Sequence, residues 1–256
     1  MECNKSTTLL GALILSLGIF AAGFSVGKAF YYSKMLNRSV TVKGLAERDV
    51  KSDLGIWQLH YHEISGNIID ANKKLLADQN LVLAFLKQNG FTDTEVSIQP
   101  VKVEDRLANV YNQTGSSPAD ANTRYVMTGG VQVRSNRVEV IARASALTNS
   151  LLQQGIPLTL NTDDANPNPS YYFTGLDAIR PGMMSDATRS ALTVANQFAK
   201  DADLDLKGIQ HASQGVFQIM SADTSTMSAD WNSSQSALSS INKKIRLVTT
   251  IDYRIK

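Results

Sequence analysis

VTVKGLAERDVKSDLGIWQLHYHE, residues 40–63, decides how the rest of the chain is read. Apolar and polar residues alternate along it, with one charged break at Lys51-Ser52-Asp53. Period-two alternation is the mark of a strand with one face buried. It predicts two antiparallel strands, residues 39–50 and 54–63, with Gly44 as a candidate bulge. His60 and His62 then share one face, and Leu59, Tyr61 and Glu63 take the other. Two imidazoles at i, i+2 suit a single metal ion, and His211, at the start of a later strand, is a candidate third ligand. The competing reading places both histidines on a polar outer face with no ligand. No cofactor is expected.

Beyond this stretch, residues 68–89 repeat apolar positions at helical spacing (Ile68, Ala71, Leu75, Val82, Leu86, joined by Leu76 and Leu83), with Ser65-Gly66-Asn67 offering an N-cap and Gly90 just past the end. Residues 95–111 and 125–134 alternate as strands, and Pro100 argues for an edge or a bend in the first. A second helix is expected over 137–154, capped by Asn136 and ended by Gly155. A short strand follows at 171–174. A third helix opens at Ser185 with Ala187, Ala191, Ala195, Ala199 and Ala202 on one face, and small residues there permit a close approach. Residues 209–220 and 243–255 complete the strands. The expected class is α+β, with antiparallel or mixed sheets built from hairpins, about three packing helices, and an N-terminal transmembrane helix in front.

That leading helix is the strongest single feature. Residues 7–27 carry no charged side chain; about 21 residues span roughly 31 Å as a helix, the thickness of a bilayer core. The organisation expected is a tail (1–6), an anchor or signal segment (7–30), a juxtamembrane linker (31–38) and a body (39–256). Length favours an uncleaved anchor, with Tyr31 and Tyr32 as interfacial aromatics, over a cleaved signal peptide. Lys28, Lys34 and Arg38 follow the span, so a positive-inside count alone would hold the body in the cytosol. A short tail before a long polar body is the arrangement of an export signal, and export is the expectation taken here.

Net charge is +2, with both signs interspersed, so the basic stripe of a nucleic-acid binder is missing. The single cysteine, Cys3, precedes the span; the body therefore has no disulfide, thiolate metal site or cysteine nucleophile. No G-x-x-x-x-G-K-[ST] or G-x-S-x-G motif occurs. Asp163, Asp164, Asn166 and Asn168 resemble a calcium loop only loosely and read better as a Pro-rich turn. Trp231, isolated in a Ser-rich stretch, is a candidate contact to another subunit. These features describe a non-enzymatic membrane-tethered protein that self-associates; a metal- or ligand-binding module and an envelope hydrolase are the alternatives.

The same residues resemble the SIMPL domain family. Gly44, Ala46, Val50, Ser52 and Asp53 fall on its opening V-x-G-x-(G/A)-x-x-x-(V/A)-x-(P/S)-D strand. Ala187, Arg189, Ala191, Ala195, Ala199 and Gly208 fall on its alanine-rich helix and turn, and residues 241–255 on its closing strand. The resemblance implies a bacterial periplasmic or surface protein of α+β fold. It also implies, for some relatives, homo-oligomeric rings and a link to oxidative-stress tolerance. It supplies no catalytic residues.

Overall fold

The structure, a computed structural model, describes residues 5–36, 38–108, 121–158, 168–222 and 237–256. The α+β class holds, with antiparallel sheets and helices interspersed between strands. Helix α1 runs Lys5–Leu36. Within it Leu13–Tyr31 has a mean hydropathy of 1.8 and none of it is buried, which makes it long and apolar enough to cross a bilayer.

The body forms two compact units: 1–46 with 182–217 and 247–256, and 47–181 with 218–246. Strands β1 (Ser39–Lys51) and β8 (Asn242–Ile255) and helix α5 (Leu176–Asp201) each contribute to both. In the first unit, β1 turns Val42, Gly44 and Ala46 inward. The core there gathers Val42, Ala191, Ala195, Ile251 and Tyr253. The alanine stripe forms over Ala187, Ala191, Ala195 and Ala199, buried at four-residue spacing, whereas Ala202, expected on the same face, lies past the end of the helix and is exposed. Gly44 is required for close approach. A Cβ there would overlap the carbonyl oxygen of Ala187 and sit 2.9 Å from the Ala191 Cβ. Helix α5 starts nine residues before the expected Ser185, at Leu176, and carries Pro181 in its second turn.

In the second unit a four-stranded sheet has the order β3-β4-β2-β5: β3 Val96–Asp105, β4 Tyr125–Ser135, β2 Leu54–Ser65 and β5 Ser170–Tyr172. Three helices supply its core with the sheet: α2 (Ile68–Gln88), α3 (Val138–Ala146) and α4 (Asn149–Gln153). Trp57, Leu59, Tyr61, Leu75, Val82, Val131, Val133 and Ile141 pack there. Asn67 caps α2, accepting from the Ile69 N–H at 2.9 Å, and Gly90 follows it at φ +85°. Pro100 sits on an edge strand, inside the register shift between Gln99 and Lys102. Of the edge or bend expected there, the edge position is met.

Four further expectations need correction. Strands β1 and β2 do not form a hairpin: β1 lies in the order β1-β8-β6, with β7 also on β8, whereas β2 lies between β4 and β5. The Ser52-Asp53 break hands the chain from one sheet to the other. Ser52 N–H donates to the Ile241 carbonyl at 2.9 Å, and Asp53 accepts from the Thr174 N–H at 2.8 Å and its hydroxyl at 3.0 Å. The helix expected over 137–154 is two, because the chain turns at Leu147–Thr148, and its N-cap is Arg137 rather than Asn136. The strand expected over 209–220 is also two, β6 (Leu206–Gln214) and β7 (Gln218–Ser221). Gly215 breaks it where its N–H donates to the Val248 carbonyl at 2.9 Å. Ile68 and Leu76, placed on the buried stripe of α2, are exposed.

Asp53→Ala removes both acceptors from Thr174. We expect a loss of about 1–2 kcal/mol, since these are carboxylate hydrogen bonds at partly exposed positions. A urea-unfolding midpoint unchanged from wild type would show that Asp53 does not hold this turn.

Candidate functional site

His60 and His62 do share one face of β2, as the alternation requires. Trp57, Leu59, Tyr61 and Glu63 on the other face are buried. His60 stands opposite Gly130 in register, and its ring fills the space a side chain would occupy there. A Cβ on Gly130 would lie 3.0 Å from His60 Nδ1. His60 Nε2 lies 3.4 Å from Gln58 Oε1. The neighbouring Gly129, opposite Tyr61, leaves room on the core face for the tyrosine ring. The glycine pair thus seats one aromatic ring on each face of the sheet. His211 lies on β6, in the other unit, and among the described residues no three His, Cys, Asp or Glu side chains gather as metal ligands. Trp231, Asp163, Asp164 and Asn166 lie outside the described residues.

The sheet face beneath α2 holds a charged cluster that the sequence reading missed. Glu63 of β2 and Asp78 of α2 are both buried, at 5% and 7% exposure. Lys74, one turn before Asp78, donates to both Glu63 oxygens at 2.7 and 2.6 Å. Burial, then the hydrogen bond to Glu63 and the Glu63 charge, push the Asp78 carboxyl up to about 6, against the lowering effect of Lys74. Tyr61 beside it is pushed up to about 12 by burial and by Asp78. The available signal was positional: Asp78 falls between Leu75 and Val82 on the apolar stripe of α2, where a carboxyl must be buried.

Other polar groups are used in joining elements. Burial alone would raise the Glu95 carboxyl. Donors from Arg137, Ser135 and Thr92 outweigh it and hold Glu95 at about 2, which ties the start of β3 to the start of α3. Asp105 and Arg124 pair at 2.8 Å across the ends of β3 and β4. Burial pushes the Lys243 ammonium down. Its Nζ donates to the carbonyls of Ala237 and, at 2.9 Å, Ser240.

On the edge strand β3, Ile98 stands opposite Val131 and Val103 opposite Met127, both core residues, yet Ile98 and Val103 are exposed. Beside them a cleft of about 430 Å³ opens between α2 and β3, walled by Leu83, Leu86, Phe91, Val96 and Ile98 with Lys87 and Asp93 also lining it.

An apolar N-terminal helix of the kind that serves as a signal anchor or a signal peptide precedes an α+β body. The family model of SIMPL, protein of unknown function (DUF541), matches residues 40–251, and the chain belongs to that family. No curated protein matches the chain.

Proposed function

We propose that this chain is a single-pass, membrane-tethered protein of the bacterial cell envelope. Its body faces the periplasm and has a structural, self-assembling role without a catalytic reaction. The observation that carries the reading is α1, whose 19-residue apolar stretch Leu13–Tyr31 is nowhere buried and precedes the body. Self-assembly is supported by the edge of β3, where Ile98, Val101 and Val103 present an exposed apolar row beside the cleft. An edge strand of that kind is a template for further association. Tolerance of oxidative stress is the physiological role we attach to this assembly.

The full-length protein in its native membrane provides the test. Protease added to intact spheroplasts should remove the body, and carbonate washing should leave α1 in the membrane. A body protected until lysis would overturn the topology. The detergent-extracted protein should have a native mass that is a multiple of the chain mass, and Ile98→Lys with Val103→Lys should lower it. A monomer before substitution would remove self-assembly while leaving the tether intact. A deletion strain surviving peroxide as well as its parent would remove the stress role.

A further inference from the structure

We propose that Glu63 and Asp78 form an acid-closed latch, in which one shared proton holds α2 against the sheet and its loss loosens that contact.

The geometry demands the proton. Asp78 Oδ2 is buried and receives no donor among the described residues. The hydrogen-bonding neighbour of the Asp78 carboxyl is the carboxyl of Glu63, already occupied on both oxygens by Lys74. An ionised Asp78 would therefore be a buried charge facing a second buried charge, with one half-exposed lysine between them. Two carboxyls at hydrogen-bond range cannot both ionise at ordinary cost. Lys74 already donates to both Glu63 oxygens, so the shared proton belongs to Asp78, which is the donor.

The groups facing the pair are few. From β2 come Glu63 itself and Tyr61, whose raised value keeps it neutral. From α2 come Lys74 and Asp78. From β4 the residues in register with Glu63 and Tyr61 are Met127 and Gly129, which do not titrate, and α4 carries no ionisable side chain. His62, next in sequence, points to the opposite face. Since the folded value of Asp78 lies above the unfolded one, near 4, the stability it confers is complete below about pH 4. That stability is lost as pH rises through about 6. This is opposite to Glu95, whose lowered value confers stability above its unfolded value, lost only as pH falls toward about 2. The window from pH 5 to 8 separates the latch from Glu95. A body facing the outside of the cell meets that range of pH, so the device would tighten α2 in acid.

The test uses the full-length chain in detergent micelles with Trp231→Phe, leaving buried Trp57 as the sole tryptophan reporter. From pH 5 to 8 the unfolding constant should rise about tenfold, a factor of ten for the one pH unit that separates 5 from the folded value of Asp78. Hydrogen exchange, corrected for its intrinsic pH dependence, should show α2 amides losing protection ahead of β4. Asp78→Asn, which donates to Glu63 at every pH, should abolish both trends and be the more stable protein at pH 8. Asp78→Leu gives the same flat profile should the amide pack poorly. Wild type and both variants responding identically to pH would overturn the proposal. So would the absence, in infrared difference spectra, of a protonated carboxyl that disappears near pH 6 in wild type alone.

Discussion

Gly44→Ala is expected to cost about 3 kcal/mol or more, at the upper end of overpacking effects, because the obstacle is backbone. The added methyl meets the Ala187 carbonyl oxygen and lies 2.9 Å from both the amide nitrogen and the Cβ of Ala191. A side chain could turn away; a carbonyl in the middle of a helix moves only if α5 moves. Displacing α5 opens the small core of Val42, Ala191, Ala195, Ile251 and Tyr253, and strains the 3.4 Å contact from the Leu45 N–H to Ser190 Oγ. Two comparisons make the result specific. Gly208→Ala, in the same unit with nothing within 4 Å, should stay within about 0.5 kcal/mol of wild type. Ala191→Gly should fail to rescue Gly44→Ala, since it removes one methyl and leaves the Ala187 oxygen in place. Full rescue would move the tight contact from backbone to side chain and sink the argument. Unfolding midpoints in urea measure all four proteins.

This contact also shows how far the sequence could be read. Gly44 and the alanines at four-residue spacing were both visible, as was their strand and helix. Their meeting was not, because nothing local says which strand a small-faced helix covers. The same limit explains the mistaken β1–β2 hairpin. Alternation fixes which side chains share a face, but the Ser52-Asp53 break looks like a turn whether the chain doubles back or moves to another sheet. The deciding partners, Ile241 and Thr174, lie more than a hundred residues away. At the candidate site, the shared face of His60 and His62 followed directly from period two. The Glu63–Lys74–Asp78 cluster did not, because a buried carboxyl in a helix is recognised only once its stripe is known to be covered.

Gly129→Ala should destabilise the second unit by about 2–3 kcal/mol, and Gly130→Ala by less than about 1 kcal/mol, although the two are adjacent. A Cβ at Gly129 falls 2.7 Å from Tyr61 Cε2 and 2.9 Å from Cζ. The ring is buried between strand and helices and has nowhere to go. At Gly130 the nearest atom is His60 Nδ1 at 3.0 Å, on a half-buried ring of the outer face that can rotate toward Gln58 or solvent. Tyr61→Leu leaves a cavity and costs stability alone, but it also vacates the atoms that Gly129→Ala strikes. The double variant should therefore be more stable than the sum of the singles by about 1 kcal/mol or more, the coupling expected of residues in contact. Thermal unfolding of the four proteins gives the cycle. Strict additivity, or a larger loss at Gly130 than at Gly129, would put the histidine ring rather than the tyrosine in the core. Every odd-numbered residue of β2, Glu63 included, would then face outward, and the buried acid pair beneath α2 would not exist.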